Sequence, residues 1–202
     1  MLFRSLQLGT GWDVPPGILH APGSLLTYEP QRASDVSAMF QNIVWNTYTA
    51  KELLQNNIPK DKRDELDYYI ELLDWDLNTD PLFFEHRFME PKPVKPLEEM
   101  RGQGYEEYDI VYKSEYFSAK ELTILPGRSV LIKDKGPYGA IVIEGHGTFG
   151  NLSIESPAMI RFGQITQDEL FVTDKAAKEG VLITNTSNTN ALVMLKHFGP
   201  AA

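Results

Sequence analysis

Short alternations of apolar and polar residues run through both ends of the chain, and only its middle changes to a helical period. Leu25, Thr27 and Glu29 alternate with Leu26, Tyr28 and Pro30, and Val36, Ala38, Phe40, Asn42 and Val44 alternate with Ser37, Met39, Gln41 and Ile43. Neither run has a clean polar face, which predicts strands within a sheet sandwich. At Thr49 the pattern changes. Thr49 and Glu52 form a capping-box arrangement ahead of Leu53 and Leu54. Leu66, Tyr69, Ile70 and Leu73 then recur at three- and four-residue spacing, predicting a helix over 61–74 with an acidic outer face. Residues 75–89 are aromatic-rich and irregular. Pro91, Pro93 and Pro96 mark a stiff linker.

From about residue 105 the alternation returns in short runs with Gly, Pro, Asn and Asp between them. The predicted strands are 107–113, 117–124, 128–133, 138–144, 147–154, 158–163, 168–173, 180–185 and 191–198. Many short strands with regular turns indicate a mostly β fold, a sandwich or small barrel.

The chain has 202 residues, 42% of them hydrophobic, enough for a sizeable core. Its net charge of −9, without a basic cluster, argues against a nucleic-acid partner. It has no cysteine, which excludes disulfides and thiolate metal sites. No apolar run reaches membrane-spanning length, and MLFRSLQLGTGW is no signal peptide, so no membrane association is expected and a cytoplasmic location is.

Glycines and prolines crowd around His20 in GTGWDVPPGILHAPGS, residues 9–24. Such a segment turns tightly at fixed places. Gly9, Pro15, Gly17 and His20 keep the spacing of the second motif of the cupin superfamily, with Ser24 where that motif ends in Asn. The wording WDVPPGILHAPGSLLTYEP resembles bicupin proteins related to class I mannose-6-phosphate isomerases. The resemblance implies a cupin-type jelly roll with a short helical connector. It also implies that His20 is a ligand for a divalent metal (Zn, Mn, Fe or Ni) that polarises a sugar carbonyl while a base moves a proton.

Gly127 to Gly147 keeps the frame of the first motif, but its ligand positions hold Lys133 and Lys135 and its acidic position holds Ala140. No histidine falls within 174–190, where the second motif would lie. The second cupin is therefore expected to be metal-free. Too few residues precede Gly9 for a first motif, so the chain is expected to be part of a longer protein. Residues 1–48 would be the end of a first cupin, 49–98 the connector and linker, and 99–202 a complete second cupin.

His20 alone supplies about a quarter of a four-ligand site, ~3–4 kcal/mol, which is too little to hold a metal in this chain by itself. The alternative for His20 is a turn histidine bonded to backbone. Lys133 and Lys135 share one face of a strand; turned into the barrel, they would bind an anionic ligand such as a phosphate or carboxylate. Otherwise they are a solvated strand end beside Asp134. His146 reads as part of a hairpin turn, His86 and His197 as structural, and one of Lys196 and His197 must face outward. The expected function is part of a metal-dependent sugar-phosphate isomerase-like bicupin acting on a sugar or sugar phosphate. The alternative is a non-catalytic cupin that binds a small sugar or anionic metabolite, or serves dimerisation. A homodimer is expected through unpaired strand edges in 23–30 and 35–45.

Overall fold

The computed structural model describes residues 7–21, 25–34 and 36–200. Ser24 and its neighbours Pro22 and Gly23, and Asp35 in the second predicted N-terminal strand, lie outside the described residues. Packing divides the chain into two compact units. One takes Val14–Phe88; the other takes residues 89–200 with the stretch up to Asp13.

After the short β1 (Gly11–Trp12), the first unit carries β2 (Ile43–Val44) and β3 (Thr47–Tyr48), joined as a small antiparallel hairpin. Trp45 and Asn46 at its tip both have positive φ, the geometry a two-residue hairpin loop asks for. Four short helices follow: α1 (Lys51–Gln55), α2 (Leu66–Glu71), α3 (Trp75–Asn78) and α4 (Phe83–Arg87). Longer strands expected over 25–30 and 36–45 do not form, because their alternating residues find no ladder beyond Ile43–Val44. Thr49 caps no helix: its hydroxyl donates to Gln41 O at 2.9 Å, and Ala50 occupies the cap position. The helix expected over 61–74 is confined to α2, preceded by a separate 3-10 turn at Lys60–Lys62. Tyr69 and Gln55 both donate to Arg63 O, at 2.7 and 3.1 Å, and this holds residue 63 as a bend between the two.

After β4 (Phe88–Met89), at whose second residue the second unit resumes, come β5 (Lys92–Pro93) and α5 (Leu97–Gln103), and then a jelly-roll sandwich. Its strands are β6 (Tyr105–Val111), β7 (Ser118–Ile124), β8 (Ser129–Ile132), β9 (Tyr138–Phe149), β10 (Leu152–Ser156), β11 (Glu169–Val172), β12 (Val181–Asn185) and β13 (Leu192–Phe198). The hydrogen-bonded order is β5-β6-β7-β13-β9-β12-β8, with β10 and β11 added on β9, and all the pairings are antiparallel.

β9 serves both layers. Its first half pairs with β13 and β11, its second with β10 and β12. It bends at Gly145, whose φ is +90°; a Cβ there would come within 2.4 Å of Ala191 O, so only glycine fits. Met100, Leu122, Ile124, Ile183, Leu192 and Met194 are fully buried in the core between the layers.

Nearly every expected strand of this half is present, and the mostly β, jelly-roll fold class holds. Residues 158–163 instead form an irregular loop with Ile160 and Phe162 exposed, and the strand expected over 147–154 is divided by a turn at 150–151 between the end of β9 and β10. Residues 174–179 form a helix, α6 (Asp174–Glu179), whose N-cap Thr173 accepts from Ala176 N. No helix among the described residues is long and apolar enough to cross a membrane.

Candidate functional site

Strand register builds one charged row across the inner face of the sheet. Asp109 on β6 stands opposite Lys120 on β7, Lys120 opposite Lys196 on β13, and Lys196 opposite Ala140 on β9. Residues directly opposite one another share a face, and on β13 Leu192, Met194 and Lys196 all point inward. Lys196 is 0% exposed.

Two carboxylates close on its ammonium. Asp134 Oδ2 accepts from Lys196 Nζ at 2.7 Å. Glu107 Oε1 lies 2.5 Å from the same Nζ, an ionic contact that is off the hydrogen-bond direction. Asp134 follows β8 and is fixed by its own backbone N, which donates to Ala177 O at 2.9 Å. Its second oxygen accepts from Lys120 Nζ at 3.2 Å.

Aromatic rings wall the cluster. The Lys196 Nζ lies 5.2 Å from the Tyr138 ring centroid and 5.7 Å from that of Phe198, within cation–π range. The Tyr138 hydroxyl is buried without a hydrogen-bond partner, and its pKa is pushed well up by burial and then by Asp134 and Glu107. Burial pulls the Lys120 pKa down, but Glu107 and Asp134 outweigh it and leave the group raised. The cluster therefore satisfies its own charge. Glu107 and Asp134 each have an ammonium partner.

Lys133 and Lys135 do not point into the sandwich; both are exposed. The inward positions of this segment are Val130, Ile132 and Asp134. A strand alternates with period two, so residues of the other parity must face out. Asp134 is the inward-facing charge of this segment. Ala140 is buried at 1% exposure, and its small side chain faces the row across from Lys196.

His20 is exposed in the first unit, with Nδ1 2.9 Å from Ile18 O. The Gly- and Pro-rich segment before it docks on α3. Gly17 O accepts from Asp74 N at 3.1 Å and from Asn78 Nδ2 at 2.7 Å, while Leu19 N donates to Asn78 Oδ1 at 2.9 Å. His146 is not in a turn but exposed within β9, opposite Glu155 on β10. His86 Nδ1 lies 2.6 Å from Asp80 Oδ2. Among the described residues no three His, Cys, Asp or Glu side chains gather as a metal site. The sequence reading missed Lys196, Glu107 and Tyr138. The one signal for Lys196 was its parity with Leu192 and Met194.

No protein-family description matches this sequence, and no curated protein matches it. Solved structures that resemble it include a predicted oxalate decarboxylase from Thermotoga maritima, at 24% identity and a TM-score of 0.37, covering 55% of this chain and 92% of that one. A cupin-2 domain from Rhodospirillum rubrum matches at 12% identity and a TM-score of 0.35, covering 50% of this chain. A cupin 2 conserved barrel protein from Rhodopseudomonas palustris matches at 14% and 0.36, covering 55% of this chain and 71% of that one. The chain spans less than two thirds of the Rhodospirillum domain, 62% of its length. The fold class itself rests on the strand order and register described above.

Proposed function

We propose that the chain is a non-catalytic, cupin-type binding module whose sandwich interior is closed by its own charged side chains. The observation that carries this reading is Lys196, fully buried and held by Glu107 and Asp134. Metal-assisted isomerisation needs ligands free to coordinate a cation and an open position for the sugar. Here Glu107 and Asp134 already hold ammonium groups, and a cation brought among Lys120 and Lys196 would meet two like charges. The residues present do not fit a metal at this place.

The sugar-phosphate isomerase reading draws on the segment around His20 alone, and it is the competing outcome of the test. The purified chain is incubated with Zn, Mn, Fe and Ni salts, desalted, analysed for metal and assayed with mannose 6-phosphate. No stoichiometric metal and no isomerisation are expected. One equivalent of metal that disappears in His20→Ala, together with sugar-phosphate turnover, overturns the reading.

A further inference from the structure

From the open edge of the sandwich we infer a docking site for an extended, acidic peptide segment of another protein, which adds to β8 as an extra strand. The inference deepens the binding-module reading and rests on it in requiring no chemistry of the interior. β8 ends the strand order, so one edge of Ser129–Ile132 has no strand partner among the described residues. Such an edge offers a row of unpaired backbone N–H and C=O groups, which is the template for strand addition.

Charge selects the partner. Arg128, Lys133 and Lys135 flank this edge, are exposed, and have no side-chain polar partner among the described residues. They stand on a chain whose net charge is −9, so the edge is a local basic strip on an acidic protein. By contrast, the exposed lysines of neighbouring α6 are both answered within the helix, Lys178 by Asp174 and Lys175 by Glu179.

Apolar contact adds to charge. Leu131 is 53% exposed, and its direct cross-strand neighbour on β12, Leu182, is 51% exposed. Ser129 and Leu131 thus face outward along the edge, and the exposed Lys133 and Lys135 follow just past its end at Ile132. An incoming strand with an apolar residue beside Leu131 and carboxylates two and four residues further along the same face covers Leu131 and answers both lysines. A second copy of β8 does not fit as well. Antiparallel self-pairing must be centred on a single residue, because facing residues share a face; about Leu131 it would set Ser129 opposite Lys133 and Gly127 opposite Lys135, leaving both lysines without a carboxylate.

The test is a selection of random octapeptides displayed on phage against the full chain and against its Lys133→Glu/Lys135→Glu variant. Both changes are at exposed positions, and the variant's fold is checked by circular dichroism. The expected result is enrichment, on the parent, of peptides with an apolar residue and two Asp or Glu at successive second positions, so that all three share one face. Their affinity for the variant should be about tenfold weaker or more, and amide shifts on binding should be centred on residues 129–132. Absence of acidic enrichment, or equal affinity for the variant, overturns the inference. Displacement of the selected peptides by inorganic phosphate at matching concentration also overturns it, since the strip would then be an anion site and not a strand template. Concentration-dependent self-association of the parent that is lost in the variant overturns it in favour of a second copy. Bound stoichiometric metal in the preceding experiment would instead strike the binding-module reading and leave these peptide results unchanged.

Discussion

Leu122, Ile124, Ile183, Leu192 and Met194 are all fully buried in the sandwich unit, whereas between Val14 and Phe88 the buried apolar residues among those described are Ile18, Ile58 and Tyr69. The difference follows from the elements. Strands of four to twelve residues, paired in two layers, bury one face each. Helices of four to six residues are too short to be stable from their own hydrogen bonds. The first unit is therefore held by side chains reaching across to backbone: Asn78 to Gly17, Tyr69 and Gln55 to Arg63, Thr49 to Gln41. One unit is organised by apolar burial around an ionic cluster, the other by point-to-point polar clamps.

The largest expected effect tests the ionic cluster. Lys196→Met leaves Glu107 and Asp134 facing each other in the interior, and should cost about 3–5 kcal/mol of stability. Urea unfolding followed by circular dichroism reads it. The exposed pair Lys62–Glu65 in the first unit, 2.8 Å apart, is the control. Lys62→Met should leave the midpoint unmoved, because solvent screens such pairs. Equal midpoints for Lys196→Met and the parent would mean that the cluster does not differ from a surface ion pair.

A second change tests whether the sandwich also depends on polar clamps. Asn185 is 1% exposed; its Nδ2 donates to Ile124 O at 3.0 Å and to Asn190 O at 2.8 Å, and its Oδ1 accepts from Ser187 N at 3.0 Å. Asn185→Ala strands those backbone groups out of water and should cost about 1–3 kcal/mol. Destabilisation as large as that of Lys196→Met would blur the contrast between the units, since a single amide would then matter as much as the buried charges.

How much of this was legible beforehand also differs between the units. The sandwich strands were readable because period-two alternation is punctuated by Gly, Pro and Asn at short intervals, and the alternating runs other than 158–163 found partners. The helix α6 also carried a signal that passed unread: Thr173 as N-cap, the helix formers Ala176 and Ala177, and Gly180 just past the end. Alternation in residues 25–44 misled, since alternation makes a strand only where another strand completes its hydrogen bonds. At the candidate site, the inward reading of Lys133 and Lys135 needed the cupin register, and a shift of one residue turns both outward, as the solvated strand end that was the alternative. The Lys196 cluster was not legible as a cluster. Its members lie far apart in sequence, and a lysine on a strand reads as solvent-facing until its partners are known.

The next effect belongs to the first unit. Gly17 has φ +84°, and a Cβ there would sit 2.9 Å from Asp74 N. Gly17→Ala should strain this junction by about 1–3 kcal/mol and weaken the clamp made by Asn78. Trp75 begins α3 directly beside the junction, so proteolysis within 14–88 and tryptophan fluorescence should report the change. Amide exchange in β6 to β13 should stay as in the parent if the two units are stabilised separately. Loss of protection in those strands would show that the clamps of one unit support the other.

The smallest effect is a pH dependence on the outer face of the sandwich. His197 stands opposite Ala119 and Gly139. Its Nδ1 is buried without a partner, and a Cβ on Gly139 would fall 2.0 Å from its Nε2. Burial lowers its pKa below the ordinary 6.5. The unfolded chain therefore takes up a proton before the folded one does, so this group's contribution is intact above pH 6.5 and declines as the pH falls below it. Glu121, on the neighbouring strand opposite Leu195, acts in the reverse sense. Burial raises its pKa above 4.5, so the folded chain takes up that proton first and regains stability as the pH falls through the raised value toward 4.5. Stability measured by denaturant midpoint should fall from pH 7 into the range just below 6.5, with Glu121 offsetting part of the loss further down. His197→Gln should flatten the upper limb while leaving the lower one, and Glu121→Gln should do the opposite. A parent profile with no decline below pH 6.5, or an upper limb unchanged in His197→Gln, would show that this ring carries no pH dependence and that acid sensitivity belongs to the carboxylates alone.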